Sequence, residues 1–135
     1  MRIGIIGTGH IGGNVARQAA RAGHDVTVSF SRNPEKLDAL AAELGARARA
    51  GSPRDAVDDS DLTVFAVRWD TVELALEQAG PLDGRIVVDT TNKFGHGPGP
   101  GPRQTTAAFN AQRMPGARYT KSFNTLTARV QADVV

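Results

Sequence analysis

Apolar positions along this chain follow two alternating periods. The run Arg2–Gly7 is short and apolar, as a buried strand requires. Ile11, Val15, Ala19 and Ala22 then fall on one helical face, and Gly23 ends that helix. Val26–Phe30 reads as a second strand. Asn33-Pro34 reads as an N-cap followed by proline at the first helical position, opening a helix with the stripe Leu37, Leu40, Ala41 and Leu44. The alternation continues with a weak strand at 46–50, a short capped helix from Ser52-Pro53-Arg54-Asp55, and a buried strand at 62–67. A helix from Asp70-Thr71-Val72-Glu73 turns Val72, Ala75, Leu76 and Ala79 inward. Ile86–Val88 is a fifth strand, 105–113 a further helix, and Tyr119–Phe123 a sixth strand.

Strand and helix in strict alternation predict an α/β fold of the Rossmann type: a doubly wound parallel sheet covered on both faces, in one domain spanning 1–135. In such sheets the ligand crevice lies at the carboxyl ends of the strands, where strand order reverses. The residues just after each strand are therefore the candidates for chemistry.

After the first strand comes Gly7-x-Gly9-x-x-Gly12, with a helix behind it. Gly7 permits the tight turn, Gly9 lets a pyrophosphate approach the backbone, and Gly12 lets the helix pack on the strand. The N–H groups at the helix start and the helix dipole then favour phosphate. The strand before and the helix after distinguish this from an ordinary glycine turn.

The second strand ends in Ser29-Phe30-Ser31-Arg32-Asn33-Pro34-Glu35-Lys36. An NAD site usually carries an acid there to hold the ribose 2′-hydroxyl. Here a hydroxyl and a guanidinium stand at the strand end, with Lys36 one helical turn on. These are donors suited to a 2′-phosphate, which predicts NADP(H) over NAD. A solvated loop is the plainer alternative.

Composition removes other classes. There are no cysteines, so disulfides, thiolate metal sites and cysteine nucleophiles are excluded. No apolar run approaches a membrane span, and no signal-peptide pattern precedes the first strand, so the expectation is a cytoplasmic protein without a membrane partner. The net charge of +2 is unevenly spread: residues 1–54 carry eight basic and four acidic side chains, residues 55–102 three and nine. A basic first segment suits a phosphate-rich ligand. The bases are scattered rather than interleaved with aromatics, which argues against nucleic acid.

At this point the sequence resembles the NADPH-dependent coenzyme F420 reductases. The resemblance rests on Gly7-Thr8-Gly9-His10-Ile11-Gly12-Gly13, Ser31-Arg32-Asn33, Val87-Val88-Asp89-Thr90-Thr91-Asn92, Pro115-Gly116-Ala117-Arg118 and Lys121-Ser122-Phe123-Asn124-Thr125-Leu126. It implies that Thr8, Gly9, His10 and Ile11 hold the pyrophosphate, and Ser31, Arg32 and Lys36 the 2′-phosphate. It also implies that Val67-Arg68-Trp69 line the nucleotide and that Thr91 and Asn92 approach the nicotinamide ribose. Phe123-Asn124-Thr125 would border the nicotinamide and its partner. The implied reaction is hydride transfer between NADP(H) and the deazaflavin coenzyme F420.

The chain departs from that pattern twice. It stops about ten residues after Phe123-Asn124, where the family continues through a helical second part. It therefore reads as a fragment, or as a short form whose residues 123–135, ending Val134-Val135, meet a second copy in a homodimer. The segment Gly95–Pro102 alternates glycine and proline and can be neither helix nor strand; it reads as a plain connector or as a lid.

No catalytic acid or base is evident. His10, His24 and His96 lie in loops or at a helix end, and Asp89, the best-placed carboxylate, reads first as a partner of neighbouring backbone N–H groups. Tyr119 and Lys121 are two apart on a strand, not four apart on a helix, so the short-chain dehydrogenase pair is absent. Transfer between two cofactors needs no such group, since the protein aligns rings and excludes water. Three readings stay open: transfer between NADPH and F420, an NADPH-dependent reductase of another small acceptor (imine, ketone or quinone-like), and a non-catalytic NADP-binding module.

Overall fold

The computed structural model describes residues 1–133. The first half of the chain runs β1 Arg2–Ile6, α1 His10–Arg21, β2 Asp25–Ser29, α2 Pro34–Leu44, β3 Ala48–Ala50 and α3 Pro53–Asp58. The second half runs β4 Leu62–Phe65, α4 Val72–Ala79, β5 Ile86–Asp89, α5 Thr106–Gln112, β6 Arg118–Lys121 and α6 Ala128–Asp133. A 3₁₀ turn at Trp69–Thr71 leads into α4.

The six strands form one sheet in the order β3-β2-β1-β4-β5-β6, every neighbouring pair parallel. The chain winds outward from β1 in one direction, returns, and winds outward from β4 in the other. The order therefore reverses between β1 and β4, as the doubly wound arrangement requires.

Each face of the sheet carries its own apolar core. On one, Ile3, Ile5, Val26, Val28, Val64 and Val88 pack against Ala16 and Ala19 of α1 and Leu40 of α2. On the other, Ile6, Phe65 and Val87 pack against Val57 of α3, Val72, Ala75 and Ala79 of α4, and Met114. Strands buried on both faces explain the unbroken apolar runs in the sequence.

Two expected caps are present. The Asn33 side chain accepts from the Glu35 N–H at 2.9 Å. Ser52 and Asp55 form a reciprocal box, Ser52 Oγ accepting from Asp55 N at 3.1 Å and the Asp55 carboxylate accepting from Ser52 N at 2.8 Å.

The structure also corrects the sequence reading. α1 buries Gly12, Ala16 and Ala19, while Ala22 is its exposed C-cap. The small residues bring α1 against the sheet, and the larger Val15 sits at the margin. β4 stops at Phe65 rather than 67: Ala66 N still donates to Ile6 O, but β1 ends at Ile6 and turns at Gly7 (φ +98°), so no strand partner remains for Val67. β6 covers Arg118–Lys121 and ends before Phe123, whose left-handed backbone (φ +59°) cannot continue a strand. The helix α6 was not foreseen. No helix of the described residues is long and apolar enough to cross a membrane.

Candidate nucleotide site

Parallel register lines up the carboxyl ends of the strands. Ile6 of β1 pairs with Ser29 of β2 and Phe65 of β4, and Phe65 with Asp89 of β5, which pairs with Lys121 of β6. Beyond these ends Gly7 N donates to Ser29 O, Thr90 N to Phe65 O and Ser122 N to Asp89 O. The segments beginning at residues 7, 30, 66, 90 and 122 thus leave the sheet along one edge.

The three motif glycines meet the demands inferred from sequence. Gly7 has φ +98°, and a Cβ there would lie 2.5 Å from Ala66 O. A Cβ on Gly12 would lie 1.9 Å from Gly7 O, so only glycine lets α1 start this close to β1. Around Gly9 the same atom would meet nothing within 4 Å. Gly9 is exposed and the space over its backbone is open, so the protein itself places nothing in the way of a ligand there.

The first helical bond of the turn runs from Gly13 N to Gly9 O at 2.8 Å. The N–H groups of His10, Ile11 and Gly12 precede it and have no carbonyl four residues back within the helix. No side chain caps this end and no acid lies in its first turn. The helix start thus keeps its donors and its favourable field for an anion.

Beyond β2, Phe30 has a left-handed backbone (φ +60°), unusual for an aromatic residue. Ser31 Oγ accepts from Asn33 N at 3.1 Å, shaping the loop. Arg32 and Lys36 are exposed and, among the described residues, their side chains make no hydrogen bond or ion pair. Of the other arginines of the first segment, Arg2 pairs with Asp61, Arg17 with Glu43, Arg47 with Asp25, Arg49 with Asp59 and Arg54 with Asp58, and among the described residues Arg21, at the far end of α1, makes no such pair. Free cations therefore stand where the sequence placed the 2′-phosphate.

At the other end of the edge lies a cleft of about 330 Å³. Ile11, Asn92, Phe123 and Asn124 line it, together with Phe94 and Leu126, and none of its lining side chains is charged. Thr125 lines it too, so five of the expected residues, drawn from Ile11 to Thr125, meet here. Asn92 and Asn124 face each other: Asn92 Nδ2 donates to Asn124 O at 2.8 Å, and Asn124 Nδ2 to Asn92 Oδ1 at 3.3 Å.

Thr91 is buried and belongs to a polar cluster centred on Asp89. Asp89 is fully buried; it accepts from Thr91 N at 2.8 Å, Asn110 Nδ2 at 3.0 Å, Tyr119 OH at 2.5 Å and Lys121 Nζ at 3.3 Å. Lys121 also donates to Thr91 O, and Asn110 Nδ2 to Thr91 Oγ1 at 2.9 Å. Burial first, and then the Asp89 carboxylate, hold the Tyr119 phenol well above its ordinary range. The cluster fixes the turn that presents Asn92. The plainer reading of Asp89 holds only for the Thr91 N–H; its other donors are side chains of Asn110, Tyr119 and Lys121, the last two reaching it from one face of β6.

The segment after β4 is arranged differently from the rest of the edge. Val67 is in the apolar core, and Arg68 is exposed and paired with Asp70 at 2.7 Å. The Trp69 ring is only 4% exposed. It stacks on Phe109 at 5.8 Å, lies under the Arg113 guanidinium at 5.9 Å, and donates its N–H to Pro98 O at 2.7 Å. This last bond ties down the Gly95–Pro102 segment, whose glycines and prolines alone gave no sign of an anchor. Of the segment 123–135, Phe123, Leu126 and Val130 are exposed, and residues 134 and 135 lie outside the described ones.

Sequence reasoning missed Asn14, Gln18 and Gln131. Asn14 Nδ2 donates to Ala128 O at 2.7 Å, Gln18 Nε2 to Gln131 O at 2.6 Å, and Gln131 Nε2 to Phe123 O at 2.7 Å. The spacing of Asn14 and Gln18, four apart on α1, was the available signal for a polar seam along that helix.

Residues 2–93 match the sequence pattern that defines a family described as NADP oxidoreductase, coenzyme F420-dependent. The fold is similar to that of a hypothetical protein of Sinorhizobium meliloti (TM-score 0.82, 30% identity), over 98% of this chain and 65% of that one. It is also similar to a candidate F420-dependent NADP reductase of Arthrobacter sp. FB24 (TM-score 0.79, 26% identity), over 97% of this chain and 66% of that one. An imine reductase of Myxococcus stipitatus in complex with NADP+ gives a TM-score of 0.68 at 26% identity, over 90% of this chain and 40% of that one. The chain thus spans just under two thirds of the length of the first two relatives.

Proposed function

The chain belongs to the family of coenzyme F420-dependent NADP oxidoreductases, and we propose that it binds NADP(H) along the carboxyl edge of its sheet and presents it for hydride transfer to the deazaflavin F420. The observation that carries this reading is the juxtaposition of an open backbone at Gly9 with the unpaired Arg32 and Lys36 beyond β2. One feature suits a pyrophosphate and the other a 2′-phosphate.

Within this reading Thr8, Gly9 and the N–H groups of His10, Ile11 and Gly12 hold the pyrophosphate. Ser31, Arg32 and Lys36 hold the 2′-phosphate, with Asn33 fixing the start of α2. Asn92 and Asn124 offer amide groups to the nicotinamide end, on a turn fixed through Thr91. Phe94 and Phe123 shield that end from water. Bound NADPH supplies the hydride. The uncharged lining provides alignment and a dry environment rather than an acid or base. The exposed Phe123, Leu126 and Val130 are the proposed contact with a second copy.

A second reading, reduction of an imine, is favoured by the likeness to the Myxococcus stipitatus imine reductase and by the uncharged cleft. The test is to mix the protein with NADPH and oxidised F420 and follow the loss of deazaflavin absorbance, with NADH as control. Turnover with NADPH alone supports the first reading. Tight NADPH binding without turnover, repeated with cyclic imines, points to a nucleotide-binding module. Failure to bind NADPH overturns the proposal.

A further inference from the structure

We infer that Gln131 is a positioning residue for the nicotinamide end of the cleft: from α6 it holds the Phe123–Asn124 turn, and α6 is itself held by the phosphate-binding helix α1. This rests on the NADP(H) reading above.

Phe123 and Phe30 are the two non-glycine residues with positive φ among those described, and each follows the carboxyl end of a strand. A left-handed backbone is unfavourable for a residue with a Cβ and persists only where the surroundings impose it. At Phe123 the imposing group is identifiable. Gln131, 5% exposed, donates its side-chain N–H to the Phe123 carbonyl at 2.7 Å. The next residue, Asn124, is the one that pairs with Asn92 across the cleft.

A helix as short as α6 is not stable alone. Its carbonyls at Ala128 and Gln131 accept from Asn14 and Gln18, which stand on one side of α1. One continuous set of hydrogen bonds therefore runs from the helix at the pyrophosphate cradle to the turn at the cleft. The two ends of the proposed cofactor site are built as one unit.

The Gln131 amide also carries a cost that singles it out. Its Oε1 is buried with no partner, the one such side-chain atom among the described residues. A leucine or methionine would fill similar space without an unsatisfied acceptor. What glutamine adds over either is the N–H given to Phe123.

The test compares NADPH with 2′-phospho-ADP-ribose, which lacks the nicotinamide, in wild type and Gln131→Met. The expected result is an NADPH Kd raised about tenfold, the scale of one lost hydrogen bond, with the Kd for 2′-phospho-ADP-ribose unchanged. The side-chain amide resonances of Asn92 and Asn124 should shift in the ligand-free variant. Asn14→Ala, which loosens α6 more gently, should move NADPH binding in the same direction by about threefold. Equal weakening of both ligands would mean a merely structural role and overturn the inference, as would unchanged NADPH binding in both variants. Wild-type protein that binds neither ligand would overturn the nucleotide reading itself, and resonances unmoved in Gln131→Met would overturn the inference independently of it.

Discussion

The Tyr119 hydroxyl donates a 2.5 Å hydrogen bond to Asp89, a fully buried carboxylate. Tyr119 is the chain's one tyrosine, so its titration can be read by ultraviolet absorbance without interference. Its phenol is held above the ordinary value by burial and by Asp89. A raised folded-state value means that the stabilisation is complete below the unfolded value, about pH 10, and is lost as pH rises beyond it. Phenolate absorbance should therefore appear only with unfolding, not near pH 10. Tyr119→Phe removes a donor from a buried acceptor and should cost about 1–3 kcal/mol in chemical denaturation. Ordinary titration of Tyr119 in the folded protein would contradict the geometry.

Gly9 and Gly12 separate binding from folding. Gly12→Ala drives a methyl group into Gly7 O, so α1 must move and both stability and NADPH binding should fall. Gly9→Ala meets no protein atom and has an ordinary φ of −69°. It should change stability by no more than about 0.5 kcal/mol while weakening NADPH about tenfold or more. Thermal unfolding and a fluorescence titration of both variants check this. A Gly9→Ala protein with undiminished NADPH affinity would show that the pyrophosphate lies elsewhere.

Arg32 and Lys36 set the choice of cofactor in the proposed reading. A charge-assisted bond is worth roughly 1.5–3 kcal/mol, so Arg32→Ala should weaken NADPH about tenfold or more. NADH, which has no 2′-phosphate, should be nearly unaffected. Equal loss for both nucleotides would remove Arg32 from the 2′-phosphate site.

Local features of this fold were legible because local chemistry determines them. The caps at Asn33 and Ser52 and the turn at Gly7 follow from a few adjacent residues, and alternating periodicity with a glycine turn defined the sheet. Features made by distant pairs were not. Asn92 and Asn124 meet because β5 and β6 are neighbours in register, which no local pattern encodes. The helix α6 carries little signal of its own and is held by side chains of α1, more than 100 positions earlier. Trp69, at a strand end, reads equally well as a wall of the crevice or as a core residue. Phe109 and Arg113, which cover it, arrive about 40 positions later.

The Ser52–Asp55 box gives a pH signature. Hydrogen bonds from the Ser52 side chain and backbone hold the Asp55 carboxyl below its usual range. A depressed value means stability that is present at neutral pH and lost as pH falls through the folded-state value. Asp55→Ala should therefore lower Tm at pH 7, and the gap from wild type should close below about pH 4. A gap that is constant from pH 7 to pH 3 would show that the carboxylate contributes nothing beyond its volume.

Trp69 tests how much of the edge after β4 contacts a nucleotide. Its ring is covered by Phe109 and Arg113, and its N–H is committed to Pro98 O. A side chain so enclosed has little surface to offer a ligand, so its main work should be docking the glycine–proline segment. Trp69→Phe keeps a ring in the stack but loses the donor. One lost hydrogen bond of about 1 kcal/mol would raise the population of the undocked segment roughly fivefold. Tryptic cleavage at the exposed Arg103, just beyond the segment, should accelerate by a similar factor, while the NADPH Kd stays within about twofold. A tenfold loss of NADPH affinity with cleavage unchanged would instead place the indole against the nucleotide, as the sequence alone suggested.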